Sequence, residues 1–128
     1  MGQIYSLPRA PSILLVEDEA LVSMMIEDAM VERGFTVHAA ADAAGALRFL
    51  AGGAPVDILF TDINLSGEMN GAALARLARE LRPQLAVVYA SGTLRAVADA
   101  VPGSIFVAKP YLPAQVCAML EEMAAAVA

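Results

Sequence analysis

Short apolar runs alternate with amphipathic stretches along most of this 128-residue chain. Ile13-Leu14-Leu15-Val16 is continuously apolar, the mark of a strand buried on both faces. From Glu19 to Arg33, the residues Val22, Met25, Ile26, Ala29 and Met30 recur at helical spacing, and Gly34 follows where a left-handed cap is wanted. Thr36-Val37-His38-Ala39 reads as a second, weaker strand. Asp42 is placed to cap a helix carrying Ala43, Ala46, Leu47 and Leu50, which Gly52-Gly53 and Pro55 end. Val56 to Thr61 predicts a third strand, followed by a polar loop from Asp62 to Asn70. Ala73, Leu74, Leu77, Ala78 and Leu81 predict a third helix, stopped before Pro83. Leu85 to Ala90 and Ile105 to Val107 are two more strands. Val116, Met119, Leu120, Met123 and Val127 mark a last helix, with Pro113 near its first turn. Leu94 to Val101 is weaker and reads as two helical turns or a loop, ended by Pro102-Gly103. Residues 1–11, punctuated by Pro8 and Pro11, read as a flexible arm, and residues 12–128 as one domain. Strands alternating with helices imply a parallel sheet covered on both faces.

Composition narrows the picture. A mass of 13.3 kDa fits a single domain. Eight Lys+Arg against fourteen Asp+Glu give a net charge of −6, which offers no field to gather nucleic acid. The mean hydropathy of +0.62 suggests a membrane protein only until one notes that 27 residues are Ala. No apolar run approaches the ~18 residues of a spanning helix, so no membrane insertion is expected. The single cysteine, Cys117, cannot form an internal disulfide, and the N-terminus lacks a signal-peptide pattern; together they predict a cytoplasmic protein. Gly2 and Ser6 fit a myristoylation opening, a pattern short enough to be met by chance.

In an open sheet of this kind the site lies at the carboxyl ends of the strands. Strand one ends in Glu17-Asp18, strand three in Asp62, strand four in Ser91 and strand five in Lys109-Pro110. Taken singly, each is an ordinary turn or cap. Their convergence on one edge suits a single task. Clustered carboxylates repel unless a cation neutralises them, and a hard divalent ion such as Mg²⁺ does so with oxygen ligands. A carboxylate with a free oxygen can then attack a phosphoryl group, with Lys109 as point charge and Ser91 as hydroxyl donor. The only histidine, His38, lies mid-strand and reads as structural.

From about residue 12 to 127 the chain resembles the receiver domain of two-component response regulators. The resemblance rests on Ile13-Leu14-Leu15-Val16-Glu17-Asp18-Glu19, Leu59-Phe60-Thr61-Asp62-Ile63-Asn64-Leu65, Ala90-Ser91-Gly92 and Val107-Ala108-Lys109-Pro110-Tyr111. It implies a flavodoxin-like (βα)5 fold, a doubly wound five-stranded parallel sheet. It also implies Asp62 as phosphoacceptor, with Glu17, Asp18, Asp62 and the Asn64 backbone carbonyl around Mg²⁺. Ser91 and Lys109 would bind the phosphoryl group, and Phe106 would occupy the aromatic switch position. The implied partners are a histidine kinase or phosphotransfer protein and a downstream protein reached by direct contact. The loop Leu65-Ser66-Gly67-Glu68-Met69-Asn70-Gly71 departs from the family pattern, lacking its usual proline and running one residue longer. Tyr89-Ala90-Ser91-Gly92-Thr93 looks like a variant of the Phe-Ala-Thr-Gly pattern of one receiver subgroup. Many of that subgroup are single-domain proteins, and their fourth helix is often short or irregular. Switching is therefore expected through Ser91 and Gly92–Val101, with a smaller part for Phe106.

Two other classes share parts of this pattern. A phosphatase of the haloacid-dehalogenase type also uses an Asp at a strand end. It needs a second acid two residues on, where this chain has Asn64. A receiver-like binding module that is never phosphorylated would be expected to lack the acidic pair, the acceptor or the lysine, and all are present. A nucleotide-binding half-domain fits less well still, because strand one leads into Glu17-Asp18-Glu19, which would repel phosphates, and not into a glycine-rich turn. With no output domain expected after Ala128, the expected action is by protein contact, onward transfer or draining of the phosphoryl group, without enzymatic turnover.

Overall fold

Five strands form one parallel sheet in the order β2-β1-β3-β4-β5: β1 (Ser12–Val16), β2 (Thr36–Ala40), β3 (Ile58–Asp62), β4 (Ala86–Ser91) and β5 (Ile105–Ala108). The computed structural model describes residues 9–92 and 100–127. Among these residues there are four helices: α1 (Ala20–Glu32), α2 (Ala43–Ala51), α3 (Gly71–Leu81) and α4 (Pro113–Val127). The parallel sheet covered on both faces is the one that the alternation of elements predicts, and its strand order is the flavodoxin-like, doubly wound one that the family resemblance implies. The weak stretch from Leu94, with Val97, lies outside the described residues up to position 99, as do Gly2 and Ser6.

Burial follows position in the sheet. β1 and β3, flanked on both sides, are buried along their whole length, which is why their sequences read as apolar runs. β2 is an edge and largely exposed, which explains its weak pattern; His38 there stacks on Phe49 with ring centroids 3.8 Å apart. α2 and α3 cover one face over Leu14, Val16, Leu59, Val87 and Tyr89. The other core joins Ile26 and Met30 of α1 and Val116, Cys117 and Leu120 of α4 to Ile13, Leu15, Phe60 and Val88. The stripe of α1 that is covered is narrower than the periodicity predicts. Ile26 and Met30 are fully buried, but Met25 is 47% exposed beside Met24 and Leu21, because α1 packs against β2, β1 and α4 along one side only.

Helix ends follow local chemistry. Asp42 Oδ1 accepts from Gly45 N–H at 2.8 Å, the predicted cap of α2. Asn70 Oδ1 accepts from Ala73 N–H at 2.9 Å and starts α3. Pro113 occupies the first position of α4, where its missing N–H is harmless. Gly34, at φ 93°, closes α1 in the left-handed region. Four strands run one residue past their predicted ends: β2 to Ala40, β3 to Asp62, β4 to Ser91 and β5 to Ala108. The Asp62–Ala90 pairing continues β3, and Ser91 C=O accepts from Lys109 N–H at 2.8 Å at the end of β4. Asp62 and Ser91 are therefore ladder residues rather than loop residues. Among the described residues no helix is long and apolar enough to cross a membrane.

Candidate functional site

The direction of chain progression reverses between β1 and β3, which leaves a crevice at their carboxyl ends. Glu17 and Asp18 leave β1 there, and Asp62 closes β3. One carboxylate oxygen from each of the three lies within 4.8 Å of the others. Glu17 and Asp62 are buried, whereas Asp18 is more open to solvent.

Lys109 reaches this cluster from the end of β5. Its Nζ lies 2.6 Å from Glu17 Oε1 and 3.2 Å from Asp62 Oδ2, bridging the two buried acids. Glu17 Oε2 also accepts from Glu19 N–H at 3.2 Å, tying the carboxylate to the start of α1. Asp62 Oδ1 accepts from Asn64 N–H at 3.2 Å, and the Thr61 hydroxyl donates to Asp62 C=O. Asp18 Oδ2 accepts from Ser66 N–H at 3.0 Å, so the longer loop after β3 folds back onto the acidic pair.

The electrostatics follow from burial. Desolvation pushes the Glu17 carboxyl up, and this outweighs the opposing pull of Lys109 and Glu19 N–H. Burial acts to lower Lys109, but its bonds to Glu17 and Asp62 and their charges more than reverse it, so the ammonium is held above its ordinary value. Beside them Tyr111 packs edge-on against Phe60, ring centroids 5.9 Å apart. Desolvation pushes its phenol up to about 12, and its hydroxyl has no hydrogen-bond partner among the described residues.

Three carboxylates converging at one edge, two of them buried, form a hard oxygen donor set of the kind a small divalent cation takes. The residues present fit such an ion, with Lys109 supplying compensating charge at the same edge. Ser91 is buried at the end of β4, one residue past the partner of Asp62. Phe106 is set apart from the acids. It pairs in register with Tyr89 on the α2–α3 side, 40% exposed, its ring tilted on that of Tyr89 at 5.1 Å.

Two supports of the site were not read from the sequence. Gly71 N–H donates to Ile63 C=O at 2.8 Å, seating the start of α3 directly on the backbone after Asp62. Asn70-Gly71 before an apolar helical face is a start signal that could have marked that junction. The Tyr89 hydroxyl, fully buried, accepts from Val101 N–H at 3.2 Å, a long-range bond with no local signature.

The chain is similar to known proteins over most of its length. The model of the response regulator receiver domain matches residues 13–121. Sensor kinase CckA of Brucella abortus (strain 2308) is 35% identical over 117 residues, which cover 88% of this chain but only 12% of that kinase's length. Among solved structures, a response regulator receiver protein from Sinorhizobium medicae WSM419 is 35% identical, with a TM-score of 0.81 over 89% of this chain and 94% of that one. The receiver domain of hybrid histidine kinase CckA is 27% identical, with a TM-score of 0.78 over 88% of this chain and 97% of that one.

Proposed function

The chain belongs to the response regulator receiver domain family, and we propose that within it Asp62 accepts a phosphoryl group from a phosphohistidine of a histidine kinase or phosphotransfer protein. The observation that carries this reading is Lys109 Nζ bridging Glu17 and Asp62 at a buried strand edge, with Asp18 beside them. It supports an acceptor carboxylate held next to a fixed positive charge.

In the transfer, an Asp62 oxygen forms a bond to phosphorus as the P–N bond of the donor breaks. The departing imidazole keeps the electron pair and takes up a proton from solvent. Asn64 N–H orients the acceptor carboxylate, and Lys109 stays beside the oxygens of the arriving group. Ser91 supplies a hydroxyl from the neighbouring strand end. Glu17, Asp18, Asp62 and the Asn64 backbone carbonyl would hold Mg²⁺, which when bound offsets the charge of the carboxylates and the transferred oxygens. The phosphoryl group then resides on the protein until it is passed on or slowly hydrolysed, which is acceptor chemistry and not turnover. The signal leaves through contacts with a downstream protein in the cytoplasm. Kinase-linked receivers among the similar proteins support a kinase-side partner.

Incubation with acetyl phosphate and Mg²⁺ should add one acid-stable, base-labile acyl phosphate to the protein, and Asp62→Asn should abolish it. Label retained in Asp62→Asn would remove the assignment. An unlabelled wild-type protein, given a competent kinase, would favour a binding module instead.

A further inference from the structure

Tyr89 occupies a connecting position in the sheet. It pairs with Thr61, the residue before Asp62, and with Phe106, three residues before Lys109, and it lies two residues before Ser91 on its own strand. Its ring is completely buried, so its hydroxyl needs an internal partner, and that partner is the Val101 N–H at 3.2 Å. Val101 is itself buried in the α2–α3 core, and the next carbonyl, of Pro102, accepts from Arg79 Nη1 at 3.0 Å. Thus β4 and α3 together grip the chain where it returns toward β5.

We propose that the Tyr89 hydroxyl and the Val101 amide form a latch linked to the chemical state of Asp62. The latch is closed while Asp62 is the free carboxylate bonded to Lys109 and Asn64, and it opens when Asp62 carries a phosphoryl group. This inference rests on the acceptor role proposed above. The physical reason is geometric. An added phosphoryl group draws groups from β3, β4 and β5 toward one point, and Tyr89 is paired to both neighbouring strands just behind it. A bond of 3.2 Å stands at the long end of the N–H···O range, so a shift of a few tenths of an ångström is enough to lose it. Arg79 and the packed Val101 side chain stay in place, so the event is local rather than an unfolding.

The Val101 amide reports the latch directly by hydrogen exchange followed by NMR. In wild-type protein, beryllofluoride with Mg²⁺ should speed its exchange at least tenfold, and Tyr89→Phe should do so without any addition. Because linkage is reciprocal, Tyr89→Phe should also bind beryllofluoride about fivefold more tightly, the equivalent of one neutral hydrogen bond. Loading is followed independently by fluorine NMR of the bound beryllofluoride. Unchanged Val101 exchange in loaded wild-type protein overturns the linkage while leaving Asp62 as acceptor. Unchanged exchange in Tyr89→Phe overturns the latch itself. Failure of wild-type protein to load removes the acceptor reading and the linkage together. The wild-type arm needs no variant, so a poorly folded Tyr89→Phe does not block the test.

Discussion

Gly71 packs against the backbone of Asp62 so closely that a Cβ on Gly71 would penetrate the Asp62 carbonyl oxygen and lie 2.9 Å from its carbon. The contact is backbone against backbone, so no side-chain rotation can relieve it. The first turn of α3 therefore sets the position of the proposed acceptor. Gly71→Ala should destabilise the fold by about 1–3 kcal/mol, the usual range for overpacking. It should also slow acetyl-phosphate labelling of Asp62. Denaturant unfolding and labelling rates measured on the same sample check both; full activity with an unchanged midpoint would refute the contact.

The two neighbouring acids should differ toward metal. Glu17 is committed to Lys109 and Glu19 N–H, whereas Asp18 is satisfied within the described residues by Ser66 N–H. Asp18→Ala should weaken Mg²⁺ binding tenfold or more, on the scale seen when a metal's partners are removed, and more than Glu17→Ala. Titration followed by tyrosine fluorescence is a suitable readout, since Tyr111 sits beside the charges of Lys109, Glu17 and Asp62.

Stability should fall early on the alkaline side. Tyr111 is pushed up to about 12 in the folded protein, while an unfolded tyrosine ionises near 10. Between those values only the unfolded chain has lost the proton, so rising pH favours unfolding. Lys109 acts in the same direction. Its raised value contributes stability below its ordinary pKa, and that stability is lost as pH rises through the folded value. Tyr111→Phe removes a buried hydroxyl without a partner among the described residues, and should be neutral or stabilising by up to about 1–3 kcal/mol. It should also extend the alkaline limit. Thermal melts from pH 8 to 12 distinguish the two proteins.

At the opposite end of the sheet, Arg9 grips Asp57 through two 2.8 Å bonds, and Asp57 Oδ2 also accepts from Ser12 N–H at 2.7 Å. The Arg9 hydrogen bond, followed by that of Ser12, holds the Asp57 carboxyl below its ordinary value despite partial burial. A depressed carboxyl contributes stability above its unfolded pKa, near 4, and loses it as pH falls through the folded value. Arg9→Ala should therefore lose this contribution at every pH above the folded value, a small loss at pH 7 because the guanidinium is exposed, and should begin acid unfolding at a higher pH than wild type. An acid titration by circular dichroism that superimposes on wild type would contradict this.

The strand ends at Glu17-Asp18, Asp62, Ser91 and Lys109 were legible in the sequence because local periodicity locates strands and the topology of an open sheet brings their ends together. The Asp42 cap was legible for the same local reason, its oxygen needing only the amide three residues on. The stripe buried on α1 was only half legible. Periodicity shows which residues share a face, but how much of that face is covered depends on what packs against it, and Met25 is left 47% exposed. What the sequence alone determined is thus the order of elements, the class of fold and the residues gathered at one edge. The tertiary structure decided how those residues meet: Lys109 bridging Glu17 and Asp62, Gly71 seated on Asp62, Arg9 holding Asp57 and Tyr89 bonded to Val101. Each of these contacts joins separate elements across a loop whose path the pattern does not encode. Their geometry comes from packing, in which every neighbour must be in place before an ångström is defined.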